Sequence, residues 1–161
     1  MWNTLSEFTE WYIKEGFPIK PPTTDPIYVT DHTYSAIVFR QGRYQVELYM
    51  LAPNWVTPNH GHPGVESKII FLNGTIYGTR NNETLPDAME YTDLANPDGT
   101  NVAFGNYLSF DSDDYHTVGA GHKGGLVAIC QHWEEGLTMS SQSVHYTGEP
   151  IGPEHSKYIN I

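Results

Sequence analysis

The sequence has a single cysteine, Cys130, among its 161 residues. One thiol excludes an intrachain disulfide and a thiolate zinc cage. Its surroundings, GLVAICQHW, are apolar, which points to a buried, inert thiol and not to a nucleophile. Positive charge is also scarce. Eight lysines and arginines are scattered along the chain without clustering, and the formal net charge is −11. Nucleic acid and anionic membranes are therefore excluded as expected partners, because phosphate binding needs a basic footprint. The acidity itself reads as a device for solubility. Long apolar runs are missing too, and no stretch approaches the ~20 residues of a membrane-spanning helix. The opening MWNTLSEF has neither a basic n-region nor an apolar core, so a cytoplasmic protein is expected.

Aromatic residues and short strand-like segments are plentiful. Eleven tyrosines and four tryptophans favour sheet over helix and supply area for a packed core. Residues 3 to 15 form the one helical pattern. Leu5, Phe8 and Tyr12 recur at helical spacing beside Trp11, Asn3 or Thr4 is placed to cap the start, and Gly16 with Pro18 marks the end. FPIKPPTTDP follows as an extended linker, with four prolines in ten residues. From Ile27 the pattern changes to strands: IYVT, SAIVFRQ, RYQVELYMLA, ESKIIFLNG, TIYGTR, a weak AMEYTD, GNYLSFD, HTVGAG, GLVAICQHW and MSSQSVHYT. Gln41-Gly42 reads as a hairpin between the second and third of these. Asn73-Gly74 reads as a tight turn between ESKIIFLNG and TIYGTR. Short strands with glycine-rich turns indicate one all-β sandwich or barrel. Residues 1–26, helix and linker, are expected to pack on a β domain spanning 27–161.

The chemistry concentrates in TPNHGHPGVESKIIFLNG. His60 and His62 stand two apart, which on a strand puts both on one face. Glu66 keeps the same parity, with Pro63-Gly64 between as a place for the chain to bend. His116, at the start of a strand after the acidic turn DSDDY, is the natural fourth member. Three imidazoles and one carboxylate suit Fe, Mn, Ni, Cu or Zn, and suit Ca or Mg poorly. If Glu66 faces inward, strand parity carries Lys68 and Ile70 inward with it and turns Ser67, Ile69 and Phe71 outward under a cover of helix or second subunit. Lys68 then either anchors an anionic group of a substrate or pairs with a buried acid. Tyr77, on the following strand, is open to either face. Lys68 and Tyr77 are the candidate catalytic residues. His132 alternates with Leu126, Ala128 and Cys130 and reads as a satisfied core histidine. His32, His145 and His155 belong to no constellation visible in the sequence.

These residues resemble the two motifs of the cupins. The first, Gly-x5-His-x-His-x3,4-Glu-x6-Gly, is matched by His60, His62 and Glu66. Asn54 stands in place of the leading glycine, and Gly74 comes one residue late. The second, Gly-x5-Pro-x-Gly-x2-His-x3-Asn, keeps its spacing through Gly105 and His116, while Asp111, Asp113 and Ala120 replace the other motif residues. The resemblance spans roughly residues 44 to 133. It implies a cupin-type β-barrel (a jelly roll, or double-stranded β-helix) with a short N-terminal helix. It implies one divalent transition metal held by His60, His62, Glu66 and His116, and homodimers. The activity it favours is a mononuclear non-haem iron dioxygenase acting on a small molecule. A Lewis-acid isomerase, lyase or decarboxylase with Mn, Zn or Ni is the alternative, and a non-catalytic binder is the third reading. The loop 80–99 is long enough to serve as a lid.

Overall fold

The computed structural model describes residues 1–16, 26–29, 33–81, 83–84, 90–91, 107–137 and 144–145. Residues 17–25 of the proline-rich linker, most of the 80–99 loop, His32, Gly105 and His155 lie outside the described residues.

The helix α1, Leu5–Trp11, starts where the sequence places it. Thr4 caps it by accepting the Glu7 N–H on Oγ1 at 3.2 Å, and Glu7 reaches back to the Asn3 N–H at 2.8 Å. The chain then widens into a π-turn over Tyr12–Gly16. Leu5, Phe8 and Tyr12 form the buried stripe. They pack with Trp2, Trp11, Tyr44 and Phe39 in an aromatic cluster whose Phe8–Tyr44 centroids lie 5.0 Å apart.

Ten strands, among the described residues, follow: β1 Pro26–Val29, β2 Thr33–Gln41, β3 Tyr44–Leu51, β4 His60–Gly61, β5 Val65–Arg80, β6 Glu83–Thr84, β7 Glu90–Tyr91, β8 Tyr107–Phe110, β9 Tyr115–Trp133 and β10 Val144–His145. All pairings are antiparallel. β5 and β9 run against each other from Val65–Trp133 to Arg80–His116. β3 takes the other edge of one half of β9, and β4 takes that edge near His116. β2 and β3 close through the two residues after Gln41, as the Gln-Gly pair predicts.

Alternation along β5 and β9 separates two cores. Ile70, Leu72, Ala128, Cys130, Val46 and Leu48 meet α1 on the outer face. Ile69, Phe71, Val127, Leu51, Ile76, Phe110, Val118 and Ala120 fill the interior. This inverts the expected faces of β5: Ile69 and Phe71 point in, and Ile70 lies under the helix. Cys130 is fully buried there, and burial pushes its thiol up to about 12, which makes it inert at neutral pH.

Asn73-Gly74 is not a hairpin. The strand continues through it as a corner, with register shifts on both sides of the pair. Gly74 has φ +82°, and a Cβ there would sit 2.1 Å from the Gly124 carbonyl oxygen on the facing strand. The glycine therefore serves a close backbone crossing, not a chain reversal. Gly74→Ala should cost about 1–3 kcal/mol from the backbone conformation alone, with the clash added to it. Urea unfolding of the variant against wild type measures this, and an unchanged midpoint would contradict the crossing.

Candidate metal centre

The segment carrying the histidine pair is fastened to β9 by backbone bonds. Asn54 N–H donates to Gly121 O, Ala120 N–H to Trp55 O and Thr57 N–H to Val118 O, each at 2.9 Å. The Val118 N–H donates in return to Thr57 Oγ1 at 2.9 Å. Asn54 adopts φ 59°, the left-handed conformation a glycine would supply, so asparagine keeps the turn. This run delivers His60 opposite His116, and Gly61 opposite Tyr115. Gly61 is needed between the two histidines because a Cβ there would meet the Asp114 carbonyl at 2.9 Å.

The start of β9 is held from its other edge. Asn81 donates from Nδ2 to Asp114 Oδ1 at 3.0 Å and accepts the Tyr115 N–H on Oδ1 at 2.9 Å. Asp114 Oδ2 accepts the Asp111 N–H at 2.8 Å and closes the acidic turn. The turn is thus closed by the side chain of Asp114, bonded to the backbone of Asp111 where the second motif has its proline, and His116 emerges from it.

His60, His62 and His116 converge, each offering one ring nitrogen, with these nitrogens all within 4.8 Å of one another. Ring centroids lie 4.4 Å apart for His60–His116, 5.0 Å for His60–His62 and 5.3 Å for His62–His116. His116 is buried and stacks on Phe110 at 4.1 Å, which ties the group to the interior core. His60 Nδ1 lies 2.7 Å from the Pro58 carbonyl oxygen, so Nδ1–H donates and the lone pair sits on Nε2. That carbonyl-anchored tautomer is the arrangement a metal-ligating histidine needs. The donor set fits one divalent transition ion and not a hard oxygen-seeking one.

Glu66 is not in this group, which corrects the expectation of a fourth ligand there. It lies opposite His132 on the outer face of β5, half-exposed, with its carboxylate 3.3 Å from His132 Nδ1. His132 in turn stacks on Tyr44 at 4.5 Å. The cause is the Pro63-Gly64 turn, in which Gly64 takes φ +76° and Val65 N–H donates to His62 O at 2.9 Å. A tight turn resets strand parity, so i+4 from His62 no longer shares its face. Lys68 follows Glu66 outward, between Cys130 and Ser109, and so lies away from the histidines. Of Tyr77 the structure describes the backbone, opposite Gly119. The residue brought to the inward position is Ser67, which is buried. The sequence held a cue to it: the x3,4 spacing from His62 admits both residues, but the x6 spacing to Gly74 fits Ser67 and not Glu66.

A second acid lies inside. Glu47 on β3 is buried and accepts a hydrogen bond from Ser35 Oγ. Burial raises its carboxyl to about 7, and the Ser35 bond offsets part of that rise.

No protein-family model and no curated protein matches the chain. The likeness is to solved structures. KdgF from Halomonas sp. superposes with a TM-score of 0.52 at 12% identity, over 70% of this chain and 90% of that one. A predicted oxalate decarboxylase from Thermotoga maritima gives 0.52 at 13% identity, over 70% and 95%. The cupin domain of Schizosaccharomyces pombe Cnp3 gives 0.50 at 10% identity, over 70% of each chain. At these identities the likeness is one of fold: the chain has a cupin β-barrel with a short N-terminal helix. No described helix is long and apolar enough to cross a membrane.

Proposed function

We propose that this protein is a metal-dependent enzyme acting on a small organic molecule, with a non-haem iron dioxygenase as its leading form. The observation that carries the reading is the convergence of three imidazole nitrogens within 4.8 Å, one of them with its tautomer set by Pro58. When bound there, Fe(II) supplies open coordination positions at which a chelating substrate and O₂ can meet. The chain's own residues supply orientation and dryness. Phe110 fixes the plane of His116, Pro58 fixes His60, and the apolar interior behind them excludes bulk water.

One observation favours a second reading. With Glu66 on the outer face, the gathered donors are all neutral, so a bound ion keeps its full charge. That suits Lewis-acid chemistry with Zn, Mn or Ni, as an isomerase, lyase or decarboxylase. The reading takes the chain to be a cytoplasmic homodimer, with exposed Met50 and Val56 as apolar surface for a partner copy.

The test is metal analysis of protein purified without a nickel column, followed by O₂ uptake with a panel of small carboxylic acids and phenols after Fe(II) loading. Substrate-dependent O₂ loss is expected. Turnover without O₂ loss would replace the oxygenase with the Lewis-acid reading, and a chain that takes up no transition ion would end both.

A further inference from the structure

The interior face carries a row of buried polar side chains that the metal centre does not use. β3, β9 and β5 set Gln45, Gln131 and Ser67 opposite one another, and β8 adds Phe110 opposite Ser67. These residues share the inward parity of Leu51, Val127, Ile69 and Phe71. At the other end Arg40 on β2 stands opposite Gln45. Gln45 is fully buried, Gln131 is 2% exposed and Ser67 3%. Phe110 is the wall shared with the metal centre, because its ring also stacks on His116 at 4.1 Å.

The hydrogen bonds of this row run one way. Arg40 Nε donates to Gln45 Oε1 and Gln45 Nε2 donates to Gln131 Oε1, each at 2.8 Å. Trp133 Nε1 donates to that same Gln131 oxygen at 3.4 Å. A guanidinium and an indole N–H can only donate, so both carboxamides are locked with their oxygens toward these donors. Gln131 Nε2 is left as the end of the chain. Neither it nor the Ser67 hydroxyl makes a hydrogen bond among the described residues. Buried donors without an acceptor are costly, and a cation at the head of such a chain polarises its last N–H.

We propose that Gln131 and Ser67 form a substrate subsite that binds an acceptor oxygen at the end of the substrate remote from the metal. The proposal rests on the metal-centre reading above and narrows its substrate to a molecule with two oxygen-bearing ends. One end meets the histidine-held ion. The other meets the Gln131 N–H and the Ser67 hydroxyl, which lie two strands and one strand beyond Phe110 at a spacing of ~4.8 Å. Arg40 and Gln45 act through Gln131 as positioning residues. Glu47, two residues from Gln45 on the same face of β3, is the acid that faces this row, so the test separates a charged oxygen from a neutral one.

The test is calorimetric titration of the full chain loaded with Zn(II), using pentanoate, glutarate and glutaramate. Each offers one carboxylate to the metal, and their far ends are a methyl, a carboxylate and a carboxamide. Glutarate, glutaramate or both should bind about 10-fold more tightly than pentanoate. In Gln131→Met, which keeps the length of the side chain and removes its donor, that ratio should fall to about one, with Zn(II) affinity retained in chelator competition. Ser67→Ala removes a hydroxyl alone. It serves if the methionine variant fails to fold, and should lower the ratio about threefold. A merely structural role would shift all three probes alike and leave the ratio unchanged. A ratio near one in wild type, or one that survives in both variants, would overturn the subsite and leave the metal centre standing. A chain that takes up no Zn(II) would overturn the centre itself and this proposal with it.

Discussion

Replacing His116 by alanine should lower transition-metal affinity by ~100-fold or more, whereas replacing Glu66 by glutamine should leave it within about twofold. The contrast follows from placement. His116 is buried in the interior and shares ligand distance with His60 and His62. Glu66 is turned to the other face, against His132. Losing one of three gathered imidazoles leaves two donors, too few to fix the geometry of an open catalytic site. The fold should survive: the same strand is held by Thr57, Asn81 and its long pairing with β5. The loss of the Phe110 stack should cost the metal-free protein about 1–3 kcal/mol. Chelator competition reads the affinity, and far-UV circular dichroism reads the fold. Unchanged affinity in His116→Ala would remove the centre, and loss of metal in Glu66→Gln would restore the carboxylate to it.

That contrast also marks what was legible in the sequence. The all-β class came from strand alternation and turn residues, which act locally. The histidine pair came from its own spacing, because His60 and His62 lie on one short segment with no turn between them. His116 was legible because its spacing from Gly105 needs no knowledge of the other half of the barrel. Glu66 misled because parity counts only within an unbroken strand, and a glycine at φ +76° intervenes. That single slip carried Lys68, Ser67 and the cover over Ile69 with it. Asn73-Gly74 misled for a related reason. The dipeptide states that the backbone turns left-handed, and it cannot state whether the chain reverses or crosses another strand. Only Gly124 on the facing strand decides that, and it lies fifty positions away. The row that joins Ser67 through Gln131 to Gln45 is of the same long-range kind.

The wild-type protein should lose stability between pH 5 and 8, and Glu47→Gln should remove most of that loss. Glu47 is held at about 7 in the folded chain against an ordinary 4.5, with burial as the main cause. Its folded value lies above its unfolded one, so the folded state binds the proton more tightly. The associated stability is fully present below pH 4.5 and is lost as pH rises through about 7. At roughly 1.4 kcal/mol for each pH step between those values, the loss amounts to about 3 kcal/mol. Above pH 7 the chain carries a charge inside its apolar interior, with the Ser35 hydroxyl as its hydrogen-bond donor. A glutamine there has no charge to bury. Below pH 5 it is the poorer residue, because its extra N–H needs an acceptor, at a cost of about 1 kcal/mol. Denaturant unfolding of both proteins, with chelator present so that metal binding is constant, should give difference curves that cross between pH 5 and 8. Glutamine should be the less stable at the acid end and the more stable at the basic end. A difference that stays flat across that range would mean that Glu47 keeps an ordinary carboxyl and that its burial is relieved in solution.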